Sequence, residues 1–186
     1  MKKVLLLLFL CLFAMTKAQE AKPLGFTKVV EVPGVSKENL YNRAKLWVSD
    51  NFKKVDYVVD VDDKEGGVLI CKSNFPIQKD GFWGIDFDGR INFTLKLLFK
   101  DGKYKYELTN YLHEPNLNKK AFFGLLTTSE KYPASEGYNK KDYKFNKKWF
   151  DENWKEIKSM SEEKSLIIIK SLETGMKEPN IIEDNW

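Results

Sequence analysis

Few residues of this 186-residue chain have the types and spacing that chemistry requires, and the densest group of them is acidic. Asp60, Asp62, Asp63 and Glu65 could together offer oxygen ligands to a calcium ion. An EF-type loop requires oxygen ligands at positions one, three and five, and a glycine at position six. Counted from Asp60, position five is Lys64 and position six is Glu65. The pattern therefore predicts a solvated turn and not a calcium site.

His113 is the only histidine, and a single histidine without a suitably spaced cysteine does not build an ordinary zinc site. Neighbouring residues of a strand point to opposite faces, so Glu114 is badly placed to pair with His113. No Gly-x-Ser-x-Gly nucleophile motif occurs, and we expect a structural histidine at the sheet edge. The sequence indicates no cofactor. Asp86 and Asp88 are the carboxylates that an alternative function, hydrolysis of an envelope substrate, would use.

The N-terminal 18 residues have the pattern of a secretory signal peptide. Two lysines precede an unbroken apolar run from Val4 to Met15, and Thr16 and Ala18 place small residues at positions −3 and −1. Cleavage is therefore expected before Gln19. The apolar run is about 12 residues long, whereas a membrane-spanning helix needs about 20. We expect a periplasmic or secreted protein that has no membrane span after cleavage.

Cys11 and Cys71 are the only cysteines. Cys11 lies inside the apolar run and follows Leu10, whereas lipidation requires a small residue there, so a lipoprotein is disfavoured, as is a retained N-terminal anchor. After cleavage Cys71 is alone and no internal disulfide can form. Because the residues before Cys71 are apolar, we expect a buried structural thiol.

Charge and composition restrict the partners of the mature protein. The 168 residues after the signal carry 28 basic and 27 acidic side chains, and only Arg43 and Arg90 are arginines. Nucleic-acid-binding proteins usually present a strongly basic face, so nucleic acid is not an expected partner. The expected partner is a protein or another envelope component of unknown identity.

The elements that must position these residues follow from hydrophobic periodicity. The predicted strands are Phe26–Val32, Val55–Val61, Val68–Phe75, Ile91–Lys100 and a fifth that ends near Leu112, and the predicted helices are Lys37–Phe52 and Phe145–Glu173. The order β-α-β-β-β-β-α predicts an α+β fold with an antiparallel sheet of about five strands. The helices must cover one face of this sheet to bury their apolar stripes.

The second helix carries an apolar stripe at spacings of three and four residues. The predicted stripe consists of Phe150, Trp154, Ile157, Met160, Lys164, Ile168 and Leu172. A stripe of this kind is typical of a buried face, so its aromatic residues are expected in the core. The run Leu166–Ile169 could alternatively form a short strand.

Particular residues in these elements resemble a known family. Val29–Trp47 is the characteristic segment, and Lys100–Tyr106 with Leu108–Asn110 fits the hairpin and the last strand of that family. Over Phe26–His113 the chain resembles an exported bacterial domain of unknown function whose fold is like half of the TATA-binding protein (TBP-like). The resemblance implies a secreted or periplasmic protein of Gram-negative bacteria. That family has no established activity, so no catalytic residue is carried over.

The chain is accordingly divided into five parts. The signal peptide spans 1–18, the TBP-like core 19–113, an insertion or long loop 114–144, a C-terminal helix 145–176 and a tail 177–186. Within the insertion, the apolar residues at 122, 123, 125 and 126 are expected to dock onto the sheet or onto a partner.

The leading functional hypothesis is a non-enzymatic, exported binding or accessory domain. Its candidate surface combines outward-pointing polar residues of the sheet with aromatic residues in loops, since exposed aromatics often mark binding surfaces. The candidate residues are Thr94, Lys96, Lys105, Glu107, Thr109, Phe82, Trp83, Phe122 and Phe123.

Overall fold

The computed structural model describes residues 21–78, 88–116, 122–133 and 147–178. The predicted signal peptide lies outside the described residues, as does the tail from residue 179. The elements in chain order are β1 (Phe26–Glu31), α1 (Lys37–Asn51), α2 (Val55–Val58), β2 (Val59–Asp63), β3 (Val68–Ile77), β4 (Gly89–Lys100), β5 (Lys103–Pro115), β6 (Gly124–Leu125) and α3 (Lys147–Gly175).

The described strands form one antiparallel sheet in the order β1-β5-β4-β3-β2, and β6 pairs with the far end of β5. A tight turn at Asp101 and Gly102 joins β4 to β5, and Gly102 has the positive φ of 74° that such a turn needs. The register runs from Lys100 opposite Lys103 to Gly89 opposite Pro115. The predicted α+β fold with an antiparallel meander is confirmed.

Helix α1 packs on the face of the sheet that carries the core. Ser36 caps its N-terminus, because the Ser36 hydroxyl accepts a hydrogen bond from the Asn39 amide at 3.2 Å. Ala44, Trp47 and Val48 are buried along one side of the helix, as the periodicity predicts. No helix among the described residues is long and apolar enough to cross a membrane.

Helix α3 is continuous through residues 166–169, so the alternative of a strand there is wrong. Its buried side also differs from the predicted stripe, because Ser161 and Ser165 are buried while Lys164 is exposed. The two serine hydroxyls donate to the carbonyls of Ile157 and Ser161, one turn earlier, at 2.7 and 2.6 Å. The hydrogen bonds satisfy these hydroxyls inside the core, where an unpaired polar group would be costly.

Several element boundaries differ from the predictions, and two of these differences have a clear local cause. Residues Val55–Val58 form one helical turn, so β2 begins at Val59 rather than at Val55. Short β-branched runs do not by themselves distinguish a strand from a turn, and here a local hydrogen bond from the Tyr57 amide to the Lys54 carbonyl, at 3.0 Å, closes the turn. Strand β3 continues through Pro76 to Ile77, because a proline removes only one donor near a strand end.

Part of the predicted insertion completes the sheet. β6 pairs with β5, and the Leu126 amide donates to the Tyr111 carbonyl at 2.8 Å. The segment also contacts α3, since the Trp154 indole donates to the Ser129 carbonyl at 2.9 Å. Phe123 and Leu126 are fully buried in the core. This part of the apolar cluster therefore docks onto the protein itself.

Candidate functional site

The face of the sheet opposite the helices, called here the uncovered face, is the candidate site. Burial alternates along β4, where the odd-numbered residues are buried and the even-numbered ones are half-buried or exposed. Strands β3 and β5 show the same alternation as far as Thr109. The central residues of the uncovered face are Lys72, Asn74, Asn92, Thr94, Lys96, Leu98, Lys105, Glu107 and Thr109.

All five polar sheet residues predicted for a binding surface lie together on this face. Thr94 is opposite Thr109, and Lys96 is opposite Glu107, on the paired strands β4 and β5. The ammonium groups of Lys96 and Lys105 both reach the Glu107 carboxylate, Lys96 at 4.0 Å and Lys105 in direct contact. The hydrogen bond from Lys105 lowers the pKa of the Glu107 carboxyl group. The five residues form a polar patch in which two lysines share one carboxylate, so its net charge is +1.

A β-bulge in β5 changes which residues reach the uncovered face. Asn92 pairs with Leu112 and Thr94 with Thr109, so two residues of β5 stand opposite Phe93. Asn110 is one of them, and its φ of 59° lies in the left-handed region. Its side-chain amide donates to the Thr94 hydroxyl at 3.3 Å. The bulge therefore directs this amide onto the uncovered face, although simple alternation would send it into the core.

Two grooves flank the polar patch. The first, called here the amide groove, has a volume of about 400 Å³ and is lined by Lys72, Ser73, Asn74, Asn92, Phe93, Thr94, Asn110, Leu112 and Leu125. Three of these residues carry carboxamides, and they come from the adjacent strands β3, β4 and β5. Leu112 is 39% exposed, which makes it an accessible apolar contact in the same groove.

The second groove, called here the lysine groove, lies at the hairpin end of the face and has a volume of about 280 Å³. Val29 and Leu98 supply apolar surface, and Val29 is 51% exposed. The groove is also lined by Lys100, Lys103, Tyr104 and Lys105. The Lys103 ammonium lies 3.9 Å from the Glu31 carboxylate, a separation at which an exposed pair contributes little stability.

The predicted aromatic part of the surface is only partly accessible. Phe122 is 41% exposed and its ring stacks near His113, with centroids 6.4 Å apart. Phe123 is fully buried among aromatic side chains, which corrects its assignment to a binding surface. The reason is that β6 pairing on β5 turns the Phe123 ring under the sheet towards α3. Phe82 and Trp83 lie outside the described residues.

His113 is part of the core. It is fully buried, and its Nδ1 accepts a hydrogen bond from the Phe123 amide at 3.1 Å, which helps to hold β6 against β5. Glu114 points to the opposite face, where its carboxylate accepts from the Arg90 guanidinium at 2.6 Å. That hydrogen bond lowers the pKa of Glu114. The expectation of a structural histidine is consistent with this arrangement.

Of the two candidate catalytic carboxylates, Asp86 lies outside the described residues. Asp88 is half-buried just before β4, and its backbone carbonyl accepts from the Asn116 amide at 3.0 Å. His113 stands opposite Ile91, three residues further along β4, which corresponds to about 10 Å of strand. Within the described residues, no group of three His, Cys, Asp or Glu side chains is placed to hold a metal ion.

The sequence analysis did not predict the amide groove. Its members are spread over three strands and the β6 segment, and nothing in their spacing marks them as neighbours. One signal was available, because buried residues change from even to odd numbers between Leu108 and Tyr111, around an asparagine. Such a change of phase indicates a bulge, and asparagine tolerates the left-handed conformation that a bulge residue adopts.

Comparisons with known proteins found similar solved structures and one matching family model. A solved structure described as a DUF4468 family protein from Bacteroides ovatus is similar, with a TM-score of 0.53 and 13% identity over 86% of this chain and 89% of that one. A TBP-like protein from Parabacteroides distasonis has a TM-score of 0.45 and 15% identity over 81% of this chain and 93% of that one. No curated protein matches the chain. The family model described as a domain of unknown function (DUF4468) with TBP-like fold matches residues 26–113, so this part of the chain is similar to the domains of that family.

Proposed function

We propose that this chain is an exported, non-enzymatic binding domain of a Gram-negative bacterial envelope, and that the uncovered face is its binding surface. The observation that carries the proposal is the one-sided covering of the sheet: helices bury one face, while the other presents polar side chains and two grooves. Ligands are usually held in concave sites that combine apolar surface with a few polar groups. The two grooves have this composition.

The proposed location rests on the N-terminal pattern of basic residues, a short apolar run and small residues before Gln19. The location is tested by N-terminal sequencing of the protein from its native host. A first residue at or near Gln19 is expected, and an intact Met1 would contradict export.

The proposed absence of catalysis rests on how the candidate groups are used. His113 is buried and accepts a backbone amide, and Glu114 is held by Arg90, so both groups have structural partners. The mature balance of 28 basic against 27 acidic residues supports a protein or another envelope component as the partner, rather than nucleic acid.

Site-specific photo-cross-linking in the native host tests the binding surface. A photoreactive residue at Thr94, in the middle of the uncovered face, should form a specific adduct with an envelope component. The matched control carries the same residue at Lys170, which is exposed on α3. An adduct that forms equally well from Lys170, or no adduct from either position, would contradict the proposal.

A further inference from the structure

We propose that the amide groove is a binding site for a neutral carbohydrate. The inference rests on the function proposed above and names the class of ligand that the uncovered face would bind. It is carried by the residues of the groove: three carboxamides on adjacent strands, an apolar contact and charges that are already paired.

The carboxamides supply the hydrogen-bonding capacity that a sugar requires. An asparagine side chain carries two N–H donors and a carbonyl acceptor, which match hydroxyl groups that both donate and accept. Asn92 and Asn110 each use a donor within the protein, on Glu114 and Thr94, and keep a second N–H for a ligand. Asn74 lies directly opposite Asn92 on the paired strands β3 and β4. Asn110 extends the row onto β5, where its amide is 3.3 Å from the Thr94 hydroxyl. Neighbouring hydroxyls of one sugar ring could therefore contact two strands at once.

An apolar contact stands beside this polar row. Leu112 on β5 is 39% exposed and pairs with Leu125 on β6, and both residues line the groove. A sugar ring has faces of C–H groups as well as its hydroxyls, so a ligand of this class would use both kinds of surface. Binding sites commonly combine apolar walls with a few placed polar groups in this way.

The charged residues around the groove are paired within the protein, which favours a neutral ligand. The Lys72 ammonium lies 2.9 Å from the Asp60 carboxylate. The Arg90 side chain contacts Glu114 at 2.6 Å, and the Asn92 amide donates to the same carboxylate oxygen at 3.0 Å. These residues therefore present no unpaired positive or negative charge to the groove.

The backbone at Asn110 restricts the residues that this position of the bulge can hold. Its φ of 59° is a conformation that glycine adopts readily and that most other residues avoid. An asparagine at this position keeps a carboxamide directed at the groove, which a glycine could not supply.

Calorimetric titration of the mature protein, beginning at Gln19, tests the inference. The neutral probes are maltohexaose, xylohexaose, mannohexaose and hexa-N-acetylchitohexaose, and the anionic comparison is hexagalacturonate. At least one neutral probe is expected to bind saturably, with an affinity that 0.5 M NaCl leaves unchanged, because no ion pair with the ligand is involved.

Two variants remove carboxamides at low risk to the fold. Asn110→Gly keeps a residue that favours the left-handed backbone, and Asn74→Ala changes an exposed side chain. Each is expected to weaken the binding of the neutral probe about three- to tenfold, the range for one lost hydrogen bond. Lys170→Ala, at an exposed position on α3 away from the uncovered face, is the control and should leave the affinity unchanged.

Several results would overturn the inference. These are binding of hexagalacturonate alone, binding of a neutral probe that both asparagine variants retain, and the absence of binding by every neutral probe. If the Thr94 cross-link forms while all neutral probes fail, the carbohydrate inference is wrong and the binding surface stands. If neither experiment succeeds, both proposals are wrong.

Discussion

Replacing Phe123 with alanine should test how the segment after residue 121 is held to the domain. Phe123 is fully buried, and its ring lies 5.4 Å from Phe150 and 5.6 Å from both Tyr132 and His113, measured between centroids. The ring therefore joins β6, α3 and the end of β5. We expect the substitution to destabilise the whole domain, and not only the local segment.

The expected magnitude follows from this burial. An aromatic side chain buries about 150–250 Å², and at about 25 cal/mol per Å² this corresponds to about 4–6 kcal/mol. Alanine retains the Cβ, and the compact unfolded chain already hides part of the ring, so the transfer contribution falls by up to about 40%. The cavity left among the neighbouring rings adds to the loss, and the expected total is about 3–5 kcal/mol.

Urea denaturation followed by tryptophan fluorescence measures this free energy of unfolding. The matched control is Phe122→Ala, since Phe122 is the adjacent aromatic residue but is 41% exposed. Its replacement should cost less than about 1 kcal/mol, as for most changes at exposed positions. A loss below about 1 kcal/mol for Phe123→Ala, or equal losses for both variants, would refute the assignment of the buried ring.

Further predictions concern the core beneath the uncovered face. Trp47 is 5% exposed and its indole donates to the Ser171 hydroxyl at 3.0 Å, so Trp47→Ala should lower the free energy of unfolding by about 3–5 kcal/mol in urea denaturation. A loss below about 1 kcal/mol would mean that the buried face of α1 is misassigned. The Tyr111 and Ser165 hydroxyls lie 2.6 Å apart, so Tyr111→Phe should lower the free energy of unfolding by about 1 kcal/mol in the same assay. A gain in stability would contradict a stabilising role for this hydrogen bond. Burial raises the pKa of the Cys71 thiol from 9.0 to about 11. Between pH 9 and 11 the thiol of the unfolded chain loses its proton while the buried thiol keeps it, so the thiol's contribution to folding stability is complete below pH 9 and is lost as the pH rises to 11. Cys71→Ala should make the decline of stability in that window shallower, and an unchanged decline would count against this reasoning.

The uncovered face itself was predictable because its signals are local. Ile91–Lys100 alternates apolar and polar residues, and a strand places successive side chains on opposite faces, so Thr94 and Lys96 had to lie together. The Asp101–Gly102 turn then sets the register of the next strand, which brings Glu107 opposite Lys96. The shared face of five candidate residues could therefore be predicted without knowledge of the tertiary structure, and their role in binding stays a prediction.

Other features depend on contacts between distant parts of the chain. Ser161 and Ser165 have polar side chains, so no hydrophobicity pattern includes them in the core, yet hydrogen bonds along α3 allow their burial. The pairing of Leu112 with Leu125 depends on β6, two residues long, which has no recognisable pattern of its own. Burial of Phe123 follows from that pairing, so the sequence alone did not show that Phe123 is buried while its neighbour Phe122 is exposed.

The sequence by itself determined the α+β class, the order of the main strands and helices, and the face of each strand, because periods of two and of three to four residues are properties of the local backbone. Only the tertiary structure decided the amide groove. Asn74, Asn92 and Asn110 become neighbours through strand pairing and through a bulge that reverses the alternation of β5. Such a site depends on the register between strands, which the sum of many side-chain contacts determines and no single segment encodes.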